Sequence, residues 1–239
     1  MYYSGSGSID WVYLIILVAL FILSAAVSSA VNNRYKKYSN VFARSGITGA
    51  QAAEKIMLAN GVTSASIQQK SGRDLSDYYD PKTDSLHLSA NTYNSCSVSA
   101  IGVACHEAGH AIQYAKNYGP VKIRMAIIPF CSVCSKAAIP LILIGFIFSA
   151  FSRVLGFIAL IGIIFYALAV LFQLITLPVE FDASRRAMAN IRSCGILTDD
   201  ECAGAKSILT AAAMTYVVAT LSSVVQLLRL ISIFNNRRN

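Results

Sequence analysis

Val98 to Ala115 reads VSAIGVACHEAGHAIQYA and sets His106, Glu107 and His110 in the pattern H-E-x-x-H. On a helix, residues four apart stand nearly above one another about one turn along, so both imidazoles reach one zinc ion from the same face. Glu107 lies beside them, where a carboxylate takes a proton from metal-activated water and passes it to a leaving amine. That is the chemistry of a zinc peptidase. The competing reading is an ordinary helix with two surface histidines, and three features count against it. The chain has only three histidines, two of them here. The flanks (Ala100, Ile101, Val103, Ala104, Ala108, Ala111, Ile112) are small and apolar, as in a buried helix where polar groups need partners. Gly109 costs helix stability relative to Ala, which implies that something approaches the backbone there.

The composition assigns this motif to a membrane protein. Of 239 residues, 55% are hydrophobic and 13% charged, and the mean hydropathy is +0.55; a soluble domain carries about 25% charge. The net charge of +8 comes without aromatic-basic interleaving or a nucleic-acid motif, so no nucleic acid is implied. The basic excess is read through the positive-inside rule instead. Six cysteines show no paired framework, and the C-x-x-C of Cys131 and Cys134 sits against an apolar segment without a second ligand pair.

Outward from the motif, the chain divides as follows. Residues 1–10 form a short external tail. Residues 11–31 carry no charge over 21 positions, enough to cross a bilayer as a helix. Asp10 before this span and Arg34, Lys36 and Lys37 after it describe an uncleaved anchor with the N-terminus outside. Residues 32–125 are the main aqueous region and hold 11 of the 20 Lys and Arg residues. Within it a helix is expected from Gly49 to Asn60, closed by Gly61. Asp80-Pro81-Lys82-Thr83-Asp84 has turn chemistry, and Ser85 to Ser89 alternates as a strand, giving a small β-hairpin ahead of the motif helix. His87 points away from Leu86 and Leu88 and is read as a surface residue, not a ligand. Ser85, Leu86, His87 and Leu88 are expected to offer backbone groups to an extended peptide, as an exposed sheet edge does.

Pro120 and Pro129 interrupt the chain after the motif. Residues 129–151 and 155–177 are then expected to cross the membrane and return to the same side. The return delivers Glu180 and Asp182, the first acids after Glu107. A catalytic zinc site built on two histidines needs a third protein ligand; one of these acids is the candidate and the other its support. Residues 178–206 are read as this third-ligand helix and a linker, with Thr198 to Glu201 resembling an N-cap box. Residues 208–234 form a C-terminal apolar helix that either spans or packs at the interface, with a polar face toward the site. The fold class is thus mainly α: a multi-pass helical membrane protein with a zincin-like region at the cytoplasmic membrane face.

DYYDPKTDSLHLS, VACHEAGHAIQYA, LPVEFDASRRA and AAAMTY, in this order, resemble the bacterial membrane zinc metallopeptidases of the YugP type, over residues 11 to 231. The resemblance implies an integral-membrane neutral zinc metallopeptidase, distantly related to HtpX- and Ste24-like gluzincins, acting on peptide or membrane-protein substrates in membrane-protein quality control. In those relatives the third ligand is the first residue of E-x-x-x-D, which falls on Glu180. The closing Asp, which supports a zinc histidine, falls on Ser184 here, leaving the supporting role open between Ser184 and Asp182. Tyr216, in Thr215-Tyr216 of the late apolar helix, is the candidate oxyanion donor. Two other readings are a non-catalytic metal-binding scaffold, against which Glu107 stands, and a site-two-type intramembrane protease, whose later Asp-Gly segment is missing. No residue pattern specifies an oligomeric state.

Overall fold

The computed structural model describes residues 11–70, 76–148 and 153–238; the expected external tail lies outside them. Among these residues the chain is mainly helical. Four helices are long and apolar enough to cross a membrane: α1 (Trp11–Ser39), α5 (Gly119–Phe148), α6 (Arg153–Ser193) and α7 (Asp199–Arg238). Between the first two lie α2 (Gly49–Ala59), β1 (Ser66–Lys70), β2 (Tyr78–Asp80), β3 (Ser85–Ser89), the short α3 (Ala90–Asn94) and the motif helix α4 (Val98–Ala115).

Local chemistry sets several of these boundaries. Thr48 and Gln51 form a reciprocal capping box at the start of α2, and Gly61, at φ +76°, follows its C-cap Asn60. The α4 N-cap is Ser97, whose Oγ accepts the Ala100 N–H. Glu201 accepts from the Thr198 N–H at the start of α7, and also from the Arg44 N–H, tying that helix end to the loop after α1.

The β-hairpin is present, but as part of a three-stranded sheet in the order β1-β3-β2. Lys82 N–H closes the turn onto Asp80 Oδ1. β3 pairs in parallel with β1 along its length and antiparallel with β2 from Ser85 to His87. It is therefore central, and its backbone is engaged on both sides. This corrects the expectation that Ser85, Leu86, His87 and Leu88 form an exposed edge. Ser85, Leu86 and Leu88 are buried, while His87 stacks on Tyr78 and contacts Ser85 Oγ. The free edge on the hairpin side belongs to β2.

The prolines do not break the helices. Pro129 and Pro140 lie inside α5, which starts at Gly119, and Pro178 lies inside α6, so the third-ligand segment continues the preceding apolar helix. In an apolar surrounding a full break strands several backbone groups, whereas continuing through a proline strands one carbonyl. Small residues bring α5 and α6 together: a Cβ on Gly145 would meet the Ala159 N at 2.1 Å, and one on Gly162 would meet the Ile142 N at 2.7 Å.

The largest core cluster surrounds α4. Ile101, Cys105, Ala108 and Ile112 pack among Ile56 of α2, Leu86 and Leu88 of β3, Ile191 of α6 and Leu209 of α7. The closest approach is at Gly109, where a Cβ would lie 2.6 Å from the Ala183 carbonyl oxygen of α6. The segment implied by this glycine is the helix that carries Glu180. Gly109→Ala is expected to lower the thermal unfolding midpoint in detergent. The helix-propensity gain of about 1 kcal/mol is offset by an overpacking cost of about 1–3 kcal/mol. Gly119→Ala, where a Cβ meets nothing within 4 Å, is the control and leaves the midpoint unchanged or raised.

Candidate metal centre

His106 and His110 project from one side of α4, their rings 4.9 Å apart and edge to face. α6 meets that side at Gly109 and brings Glu180, 3% exposed, against both. Glu180 Oε2 lies 3.4 Å from His106 Nε2 and 3.6 Å from His110 Nε2. One donor atom from each of the three residues falls within 4.8 Å of the others.

The outer nitrogens of both rings are held. Ser184 Oγ lies 3.1 Å from His106 Nδ1, and Gln113 Oε1 lies 3.0 Å from His110 Nδ1. Gln113 is fully buried, and its amide nitrogen donates to the Val179 carbonyl and to Asp182 Oδ2. Both amide hydrogens are thereby used, and the amide oxygen is left to accept the Nδ1–H of His110. That tautomer exposes the Nε2 lone pair toward Glu180. Asp182 also takes Arg185 and Arg186, the latter at 2.6 Å. The two candidates left open for the supporting role thus occupy different places: Ser184 touches one histidine, and Asp182 reaches the other through Gln113.

These residues fit a zinc ion. Two imidazole nitrogens and one carboxylate oxygen are the donor set of an open zinc site. Bonds of 2.0–2.1 Å in a tetrahedron separate neighbouring donors by about 3.3 Å, close to the two nitrogen–oxygen separations observed. Glu180 Oε1, turned away from the histidines, receives Arg124 Nη1 of α5 at 3.1 Å. Each imidazole carries a hydrogen-bond partner on its far nitrogen, the arrangement that orients metal-ligating histidines.

Glu107 stands half-buried beside this cluster, in contact with the Tyr79 backbone N–H of β2. Burial pushes its carboxyl up to about 7. The charges of Glu180 and Asp77 act in the same direction, and His106 and the Tyr79 N–H oppose them. Two cavities flank the cluster and share Asp77, His106, Glu107, Glu180 and Tyr216. One is walled by α1 and α7 through Val31, Ile208 and Ala212. The other is walled by β2 and α5 through Tyr79, Asp80, Arg124 and Met125. Thr215 and Tyr216 border the cluster from α7, beside the apolar Ile208, Leu209, Ala212 and Ala213. Ser85, Leu86, His87 and Leu88 border neither cavity.

Sequence reasoning missed Gln113 and Arg124. Gln113 had a signal: a lone amide three residues after His110, on the same face of an otherwise apolar helix. Arg124 had none, because only the α5–α6 register brings it to Glu180. Ser184→Ala is expected to weaken zinc binding about 10-fold, and Gln113→Leu about 10- to 100-fold, as measured by competition with a chelator. Unchanged affinity in both would separate these contacts from the histidines' function.

A family model described as "Putative neutral zinc metallopeptidase" matches residues 13–235. The protein named "Putative membrane protease YugP" from Bacillus subtilis (strain 168) is 40% identical over 227 residues, covering 95% of this chain and 98% of that protein. No solved structure matches. With a family match across nearly its whole length, and two histidines and a glutamate converging as an open zinc site requires, the chain belongs to the neutral zinc metallopeptidases.

Proposed function

We propose that the protein is a membrane-embedded endopeptidase in which His106, His110 and Glu180 hold zinc and Glu107 moves the proton. The observation that carries this reading is the convergence of the two Nε2 atoms on one oxygen of a buried carboxylate, with Glu107 beside them. When bound, zinc supplies a Lewis acid that polarises the scissile carbonyl and acidifies water. Glu107 accepts a proton from the attacking water and returns it to the amine nitrogen as the C–N bond breaks. Its raised carboxyl, near 7, suits both halves of that task. Tyr216, which lines both cavities, offers its hydroxyl in this scheme to the carbonyl oxygen as negative charge develops there.

The substrate is proposed to lie as an extended strand beside β2. Its outer edge turns toward the cluster, since the Tyr79 N–H reaches Glu107, and pairing there sets a peptide bond next to the proton carrier. The strand-capture idea thus moves from β3 to its neighbour. The protein named a membrane protease in Bacillus subtilis supports a membrane setting, and cleavage of unfolded membrane proteins, a quality-control role, is the activity proposed.

We assign the catalytic face to the cytoplasm. Fifteen of the twenty Lys and Arg residues fall within 32–125 and 178–206, the segments expected on the side of the motif helix, as the positive-inside rule requires. An even number of spans returns the C-terminus to the side of the N-terminus, so Arg237 and Arg238 lie outside, against the local charge preference but outweighed by the other loops.

Glu107→Gln is expected to retain zinc and lose cleavage of an unfolded test protein by about 10²- to 10⁴-fold. Glu180→Gln should lose the metal itself. Tyr216→Phe should keep zinc and lower turnover by about 10- to 100-fold; unchanged turnover removes it from the scheme. Zinc without hydrolysis in the wild type, on any unfolded substrate, would favour the scaffold reading.

A further inference from the structure

Lys136 of α5 occupies a place that the peptidase reading leaves unexplained. It stands twelve residues after Arg124, at the level of the metal cluster, and twelve before Phe148, near the far end of the helix. At 1.5 Å per residue this is about 18 Å from either, so Lys136 lies near the middle of the apolar hairpin. The helix pairing agrees: Cys131 lies against Leu168, and Gly162 against Ala138 and Ile142, which sets Lys136 level with the centre of the apolar part of α6. Lys136 is exposed on the outward side of the helix pair, with Ser132, Ser135 and Pro140 exposed around it. Half the hydrocarbon core is about 15 Å, more than its four-carbon stem spans.

A second observation falls on the same residue. Pro140 has no N–H, so the Lys136 carbonyl, four residues earlier, loses its helical donor. The Ser135 hydroxyl is turned to the Ser132 carbonyl instead. At one depth the outer face of α5 therefore presents a cation and an unserved backbone acceptor to lipid, both costly there without partners.

The chain contains no counter-charge for Lys136. No Asp or Glu occurs between Glu107 and Glu180, or after Glu201, and residues 11–31 contain none. A second copy would therefore bring no carboxylate to this depth. We propose that the outer face of α5 around Lys136 and Pro140 is a docking site for the transmembrane helix of another protein that carries a carboxylate near mid-bilayer. The ammonium pairs with that carboxylate, and the helix covers the face around Pro140. Charge complementarity in hydrocarbon gives the contact selectivity as well as strength. This stands apart from the metal site and holds whether or not the chain cleaves peptides.

The test uses full-length protein in neutral phosphatidylcholine vesicles, titrated with a polyleucine transmembrane peptide bearing one central Glu, with association read by energy transfer. The Glu peptide is expected to bind at least tenfold tighter than an all-Leu peptide. Lys136→Met and Lys136→Gln should both abolish that difference, and Lys136→Glu should transfer the preference to a central-Lys peptide. Unchanged helix content and zinc binding report that the variants are folded. Equal binding of Glu and Leu peptides by the wild type overturns the proposal, as does a preference that survives both neutral variants. A Lys136-dependent response to phosphatidylglycerol alone also overturns it, by assigning the ammonium to a lipid headgroup.

Discussion

The centre depends on how closely two helices can approach at one residue. α4 carries the two histidines, α6 carries Glu180, and the pair meet where Gly109 admits the Ala183 carbonyl. A methyl group there would hold α6 away, and Glu180 Oε2 would no longer sit within 3.6 Å of both imidazoles. α6 is positioned in turn by a long, tight contact with α5 made by Gly145 and Gly162. The membrane hairpin thus serves as a rigid arm that delivers one carboxylate to the mouth of an aqueous fold. The site therefore lies where the apolar part of α6 gives way to its charged end.

Around that contact, the polar groups are arranged by elimination. Gln113 spends both amide hydrogens on Val179 and Asp182, so its oxygen accepts from His110 and leaves Nε2 free for metal. Arg124 takes the Glu180 oxygen that faces away from the histidines. Glu107 borders both cavities, as Asp77 does, and stands directly beside His106; in the proposed scheme it is the group that moves the proton. The two buried carboxylates of α6 each pair with arginine, Glu180 with Arg124 and Asp182 with Arg185 and Arg186, which is how a low-dielectric site retains them.

Much of this was legible in the sequence because it rests on spacing. H-E-x-x-H fixes a helix face, the Gly61 and Thr198 to Glu201 signals fix helix ends, and the uncharged runs fix membrane helices. Glu180 was legible because it is the first acid after Glu107 and a hairpin returns it to the same side. What escaped was set by pairing between distant segments. Ser66 to Lys70, SIQQK, has little strand patterning, and its parallel pairing turns β3 from an edge into a centre. Pro129 and Pro178 read as breaks because their cost is judged in water, where freed carbonyls and loops are both solvated. Arg124 depends on the α5–α6 register alone.

The central claim is that two imidazoles and one carboxylate form the metal site, and zinc-edge X-ray absorption of the detergent-purified wild-type protein tests it most directly. The expected first shell has two imidazole nitrogens with the remaining positions filled by oxygen, and Glu180→Gln purified alongside it holds no zinc. A shell containing sulfur, from Cys105 or another cysteine, or a third imidazole, from His87, would contradict the account.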